Sequence, residues 1–453
     1  MNMDNTNLFS ILREIKFTEG AYLVGGTVRD MVIGRDPVDI DIAVSGDADR
    51  FARTLAKKID GSLFPLDKER GVYRIATKKG KTHSCYYDIS PIRGGDIYRD
   101  LSLRDFTVDA MAVSLEDDVK TIIDPYKGQA DIKGKCIRII SRKSFEDDPL
   151  RLLRAFRLAS TLDFEIDRGT FNTIREMSSL LRLPARERIR DEFFRLLSDS
   201  KSIQYLKHMQ NAGLLKEILI GLDDLDIEKG LIVFNRLECL YNSFHASFSL
   251  FDLDIKKYLL TRVEEGITNA SMWKWISLFQ IPLNPALLNG EAGVLKGGFG
   301  NGVRDEIIIN GLKNMRLGNR ARRLALLAVK NKQTCFPDNS IEDKRNLYHF
   351  FKATGDDGIG LILCQIATIQ ESTERYDTAL KNGKDAISWY LYDFKKMQET
   401  PLISGNDLIE LFSLSPGPEF SYLLDIVAEN RAVGKITTKR DAITFLKKLM
   451  TNV

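Results

Sequence analysis

The sequence predicts an α+β protein, a head with a mixed sheet followed by an all-helical remainder. Two textures carry that prediction. Up to about residue 140 the chain alternates helical segments with short runs rich in Val, Ile and Tyr: AYLVGG, VDIDIAV, VYRIATK, SCYYDISPI, TVDAMAVSL and KCIRII. Such residues suit a pleated, half-buried surface. Between two of these runs, DADRFARTLAKKID repeats Phe51, Leu55 and Ile59 at helical spacing. From Asp147 onward the pattern changes to long amphipathic helices with scarcely a strand signal. DDPLRLLRAFRLASTL carries Leu152, Leu153, Phe156 and Leu162 on one broad apolar stripe, and ARERIRDEFFRLLSD follows with Ile189, Phe193 and Leu196. Helical patterning continues to ITTKRDAITFLKKLM.

At 453 residues the chain is too long for one ordinary core and is expected to form two to four domains. The Gly- and Asn-rich stretch LNPALLNGEAGVLKGGFGNGV, residues 283–303, is the best candidate for a break between helical subdomains, and NKQTCFPDNSIEDK, residues 331–344, is a second. An apolar share of 43% and a charged share of 28% describe a soluble globular protein. Lys and Arg number 66 against 63 Asp and Glu, a net charge of +3, so any basic surface for a polyanion has to come from local clustering. Cys85, Cys136, Cys239, Cys335 and Cys364 lie far apart with no CxxC pairing, which suits reduced thiols better than a disulfide framework or a zinc site. The start, MNMDNTNLFSILREIKF, lacks a charged region followed by a long apolar one, and no apolar stretch reaches membrane-spanning length. The expected location is the cytoplasm, with no membrane partner.

Residues 36–46 read DPVDIDIAVSG. In an extended segment Val38, Ile40 and Ile42 share one face, and Asp39 and Asp41 share the other. Two like charges side by side destabilise a strand by themselves, but a carboxylate pair at i and i+2 supplies good oxygen ligands for Mg2+. Asp36, before Pro37, reads as a turn residue. Just upstream, YLVGGTVRDMVIG places a strand, the Gly25-Gly26 turn and a helix bearing Arg29 in its first turns. Backbone amides at a helix start beside a guanidinium form a phosphate cradle.

GGTVRD followed by DPVDIDIAV resembles the signature of the class II nucleotidyltransferases of the DNA polymerase beta superfamily: the tRNA CCA-adding, CC-adding and A-adding enzymes and the bacterial poly(A) polymerases. LRDFTVDAMA, residues 103–112, is similar to their RRDFTxNA motif, DDPLRLLRAFR, residues 147–157, to their base-contacting segment, and ERIRDE, residues 187–192, to their last neck motif. These motifs cover about the first 200 residues, and SGNDLIELFSLSPGPEF, residues 404–420, matches more loosely. The resemblance implies a polymerase-beta-type catalytic head at 1–140, a helical neck for base recognition at 141–200, a helical body at 201–330 and a tRNA-binding tail at 331–453. It implies Asp39 and Asp41 as catalytic Mg2+ ligands. Asp88, in CYYDISPI, is either the third catalytic carboxylate or an ordinary strand aspartate.

The same resemblance implies that Gly25, Gly26 and Arg29 meet the triphosphate, and that Arg104 and Asp105 hold phosphate and ribose. Asp148 and Arg151, at i and i+3 on one expected helix face, satisfy the Watson–Crick edge of the incoming base, so that protein replaces a template. Arg154 and Arg157 extend that helix and either meet phosphates or form a solvated face. Two departures stand out. Asp109 occupies the position of the family's Asn and Leu103 that of its first Arg. Only fifteen residues separate Asp88 from Arg104, where relatives that add the complete CCA carry a longer flexible loop implicated in switching from CTP to ATP.

That shortening is the mark of the CC-adding enzymes. The expected activity is addition of C residues from CTP to the 3′ end of tRNA, with pyrophosphate released and the terminal A, from ATP, left to a separate A-adding enzyme. Complete CCA addition is the alternative, then poly(A) synthesis, then a non-catalytic RNA-binding module. None of His83, His208, His245 and His349 is followed by Asp, which argues against the metal-dependent HD domain that some relatives carry. The basic stretch KNMRLGNRARRLALLAVKNK, residues 313–332, reads equally as a phosphate-tracking surface and as a solvated helix.

Overall fold

The structure, a computed structural model, describes residues 20–37, 39–79, 83–116, 121–243, 252–280, 302–331, 344–371 and 373–451. Val38 lies outside them, as do the two candidate breaks between helical subdomains, apart from their edge residues. Two compact units divide the chain: Met1–Leu196 with Lys207–Ile218, and Leu197–Leu206 with Leu219–Val453.

The first unit contains the mixed sheet. Its strands are β1 Ala21–Val24, β2 Asp39–Val44, β3 Ser62–Asp67, β4 Val72–Lys79, β5 His83–Pro91, β6 Ala112–Ser114 and β7 Ile122–Ile123, in the order β3-β4-β5-β2-β1-β6-β7. The β2–β5 pair is parallel and the other neighbours are antiparallel. Helix α1, Gly26–Ile33, packs on β1 and β2, and α2, Ala48–Lys58, packs on β3, β4 and β5. The second forms where Asp47 accepts the Arg50 backbone N–H at its start and Lys57 and Lys58 oppose the dipole at its end. It buries Phe51, Ala52, Leu55 and Ala56. Strand β3, SLFPLD, escapes the pattern reading because it is a half-exposed edge interrupted by Pro65, the place in a sheet where proline is tolerated.

Helices α3, Ile97–Ser102, and α4, Gly128–Lys133, belong to the head; α5, Lys143–Asp147, then feeds α6, Arg151–Leu162, and α7, Arg168–Met177, and α8, Arg186–Ser198, follow. KCIRII does not join the main sheet. Its Cys136–Ile137 pairs in parallel with Glu165–Ile166, just after Asp163 closes α6 in a left-handed conformation. Arg138 then joins Asp131 on α4 to Asp167, the N-cap of α7. Head and neck are thereby one body, and the motifs within the first 200 residues fall in it, up to Leu196.

Among the described residues the second unit is helical apart from a hairpin, Arg262–Glu264 with Ile267–Thr268. The stretch 313–332 is not a single helix: one helix ends at Asn314, Arg316 takes φ 48°, and a new one runs from Asn319 to Lys330, with Arg320 bonded to buried Asp357. Trp273 and Trp275 fill the core, and a Cβ on Gly360 would stand 1.9 Å from the Trp273 indole nitrogen, so only glycine fits there. A smaller cluster of Ile403, Leu408, Leu423, Val427, Ile436 and Leu446 holds the last helices together. No helix among the described residues is long and apolar enough to cross a membrane.

Lys274 and Glu238 form a buried ion pair at 2.7 Å. The remaining lone pairs of Glu238 accept from Ser202 and the Ile203 backbone, and Lys274 also donates to the Asp199 carbonyl. Burial lowers the Lys274 pKa against the opposing pull of Glu238. Removing one partner of such a pair strands the other, whereas an apolar replacement of both is tolerated. Glu238→Ala is expected to cost about 3–5 kcal/mol in denaturant unfolding, and Glu238→Leu with Lys274→Met to recover most of it; a double variant as unstable as the single would contradict this account.

Candidate active site

Strand β2 alternates as its sequence demands: Ile40 and Ile42 are buried, while Asp39 is exposed and Asp41 half-buried. The parallel register sets Asp41 beside Asp88 and Asp39 beside Tyr86. Three carboxylates therefore share one sheet face. Helix α1 is locked to this strand by Thr27, whose hydroxyl accepts the Asp41 N–H at 2.7 Å and donates to the Asp39 carbonyl at 3.3 Å. Gly25 turns into the helix with φ 64°, and a Cβ there would meet Arg104 Nη1 at 2.6 Å and Asp41 Oδ2 at 3.4 Å. Only a glycine lets that guanidinium lie beside Asp41.

Burial pushes the Asp41 carboxyl up to about 6, with Arg104 opposing and Asp88, Asp109 and Asp39 reinforcing. Asp39, exposed as a residue, is raised too, chiefly by partial desolvation of its carboxyl, with Arg74 opposing. Asp88 is held differently. Arg74, opposite it on β4, donates from Nε and Nη2 to its two oxygens at 2.7 and 2.6 Å while lying 5.0 Å from the Tyr86 ring.

The second half of the site is a lattice of arginines and acids. Arg154 on α6 stands 2.6 Å from buried Asp105, whose carboxyl is pushed up by burial but drawn further down by Arg154 and Arg151. Asp105 also accepts the Phe106 backbone N–H. Asp109 sits between Arg29, at 2.7 Å, and Arg154, at 3.7 Å. The extra carboxylate that replaces the family's Asn is thus neutralised from two sides. Arg29 is engaged by Asp109 and Asp30 rather than standing open beside the Gly25-Gly26 turn. Arg157 is neither a solvated residue nor a free cation: it lies 2.5 Å from buried Glu192 on α8.

One expected pairing is corrected. Asp148 is not on a helix with Arg151; it follows α5 in extended conformation, φ −146°, and α6 starts only at Arg151. Pro149 next door disfavours the helical conformation for Asp148. Its carboxylate accepts from Arg188 of α8 at 2.8 Å, while Arg151 donates to Ser144 and to the Leu103 carbonyl. These groups line a cleft of about 440 Å3 whose walls carry six arginines, Arg93, Arg104, Arg151, Arg154, Arg188 and Arg195, and four acids, Asp105, Asp148, Asp191 and Glu192. Cationic donors in excess, next to a carboxylate pair, suit a polyphosphate with a metal.

The Poly A polymerase head domain matches residues 21–138, and the "Probable RNA and SrmB- binding site of polymerase A" matches residues 163–225. A CC-adding tRNA nucleotidyltransferase of Geobacter sulfurreducens is 32% identical over 95% of this chain and 92% of its own length. The chain belongs to the tRNA nucleotidyltransferase family. An A-adding tRNA nucleotidyltransferase of Deinococcus radiodurans is 28% identical over 95% of this chain and 96% of its own. A solved CCA-adding enzyme in complex with CTP shares the fold at a TM-score of 0.72 with 19% identity, covering all of this chain and 96% of its own. The protein is a tRNA nucleotidyltransferase of the CC-, A- or CCA-adding type.

Nucleotidyltransferases of this family generally use a divalent metal. Among the described residues no group of three or more His, Cys, Asp or Glu forms a ready cage. Asp39 and Asp41 nevertheless fit a metal that keeps several waters and shares substrate phosphate, because such an ion takes one or two carboxylates from the protein. Sequence patterning passed over Thr27, Arg74, Arg93 and Asp100. Two of these left a trace: Arg74 shares the β4 run opposite Asp88, and Asp100 stands at i−4 to Arg104, the spacing of an ion pair on a helix.

The folded Asp41 binds its proton more tightly than the unfolded chain does. Stability of the metal-free enzyme therefore falls, through this group, as pH rises from about 4 through 6. Asp41→Asn is expected to raise stability at pH 7.5 by roughly 1–3 kcal/mol and to leave it unchanged near pH 4. Calorimetry in a chelator at both pH values tests this; an equal gain at both would rule out burial of the charge as the cause.

Proposed function

We propose that this enzyme adds C residues from CTP to the 3′ end of tRNA and stops before the terminal A, which a separate A-adding enzyme supplies. The observation that carries this reading is the connection from Asp88 to Arg104. Strand β5 ends at Pro91, Gly94 and Gly95 turn the chain at φ 78° and 96°, and Asp96 caps α3 by accepting the Arg99 N–H. Ile97 and Leu101 are buried and Asp100 binds Arg93. A connection so short and so tied down has no free length with which to rebuild the pocket for a second base. The CC-adding name of the Geobacter relative supports the same reading.

In this reading Asp39 and Asp41 would hold Mg2+, which when bound would supply Lewis-acid polarisation of the 3′ hydroxyl and neutralise charge on the α-phosphate. The hydroxyl oxygen bonds to phosphorus as its proton passes to solvent water, and the bond to the β-phosphate oxygen breaks, its electron pair leaving with pyrophosphate. Asp88, paired with Arg74, fixes the strand face beside them. Arg104 and the Gly26 amide receive phosphate, while the Gly25 N–H is taken by the Met111 carbonyl and Gly25 supplies the turn. Asp105, Asp109 and Glu192 keep Arg154, Arg29 and Arg157 in place. Asp148 accepts from the exocyclic amine of cytosine, and Arg151 and Arg188 donate to its ring nitrogen and carbonyl. The helical remainder, residues 201–453, holds the tRNA.

The test supplies Mg2+ with tRNA ending at the discriminator base, at C, or at CC, and CTP and ATP separately and together. The expected outcome is growth by CTP up to CC and no AMP addition to the CC end. Efficient AMP addition would make this a CCA-adding enzyme, and long A tails on unrelated RNA a poly(A) polymerase. Asp39→Ala is expected to lose at least about a thousandfold in rate while staying folded. Asp148→Asn should alter the preference for CTP over ATP more than the KM for tRNA, and an unchanged preference would remove it from base selection.

A further inference from the structure

Asp100 is 2% exposed, on the short helix α3, and has no part in any motif described above. Both of its oxygens are engaged. Oδ1 accepts from the backbone N–H and the Nε of Arg93, each at 3.1 Å, and Oδ2 accepts from Arg104 Nε at 3.2 Å and Nη2 at 3.0 Å. Arg93 follows Asp88 by five residues, is half exposed and lines the cleft; Arg104 reaches over Gly25 toward Asp41. Burial raises the Asp100 pKa, but Arg104 and Arg93 outweigh it and the group stays ionised.

We infer that Asp100 is a positioning residue that sets Arg93 and Arg104 as a paired clamp for the triphosphate of the incoming nucleotide and for the pyrophosphate that leaves. The inference rests on the reading that this cleft receives CTP. One carboxylate shared by two guanidiniums leaves a net positive charge and relieves their mutual repulsion. It also fixes two long side chains before the ligand arrives, which removes part of the ordering cost of binding. Because Asp100 is buried beneath both cations, it does not itself face the polyanion. The fork geometry of arginine, with donors beyond those that Asp100 uses, suits adjacent phosphates better than lysine would.

The test measures binding of CTP, CMP and pyrophosphate with Mg2+, and KM values for CTP and tRNA, in the wild type, Asp100→Asn, Asp100→Glu, Arg93→Met and the Asp100→Asn/Arg93→Met double variant. Expected are about tenfold weaker CTP and pyrophosphate binding in Asp100→Asn, with CMP binding and the KM for tRNA within about twofold. Arg93→Met should move the same two ligands, the double variant should be no worse than Asp100→Asn by more than about twofold, and Asp100→Glu should recover part of the loss. Equal loss of CTP and CMP, or unchanged pyrophosphate binding, overturns the clamp. Should Asp100→Asn fail to fold, Arg93→Met decides alone, since its side chain is half exposed. A wild type that adds no C from CTP refutes the functional reading instead, whereas one that adds C while Arg93→Met keeps full pyrophosphate affinity refutes only the clamp.

Discussion

Everything in the catalytic unit depends on keeping like-charged carboxylates together on one sheet face. The parallel β2–β5 pairing brings Asp41 next to Asp88, and alternation adds Asp39. Uncompensated, that arrangement would oppose folding; burial first raises the Asp41 pKa, and Asp88, Asp109 and Asp39 add to the rise. The surroundings limit it with guanidiniums: Arg74 takes Asp88, and Arg104 approaches Asp41 across a glycine that has no side chain to block it. What remains is a carboxylate face that, in the proposed reading, a divalent cation would complete, as a phosphoryl-transfer centre requires.

The same principle runs outward from the sheet into the neck. Asp105 and Asp109 belong to the head, Arg154 and Arg157 to α6, and Glu192 to α8, and they alternate in sign across the space between these elements. Buried ion pairs add little net stability but are costly to break on one side only. Such a lattice therefore sets where the helices sit relative to the carboxylates. The groups left facing the cleft, among them Asp148 with Arg188, have positions inherited from that lattice.

The head's strands and α2 were legible because alternation and helical spacing depend only on neighbouring residues. Strands β3 and β7 were not, since a proline-bearing edge shows little alternation and two residues show none. The pairing of Cys136–Ile137 with Glu165–Ile166 was hidden because two-residue strands carry no period. At the site, Asp39, Asp41, Arg104 and Asp105 stand out from their motifs, whereas Arg74 and Asp100 act through partners 14 and 4 residues away, a relation that only folding creates or selects.

By itself the sequence determined the class of fold and the family and marked candidate residues for the chemistry, because these follow from local periodicity and from motifs a few residues long. Tertiary structure decided the partners. Asp148 binds Arg188 rather than Arg151, Arg29 is taken by Asp109, and Arg157 lies beside Glu192. The physical reason is range: a charged side chain bonds to whichever opposite charge the packing of strands and helices brings within about 3 Å, and sequence distance does not set that separation.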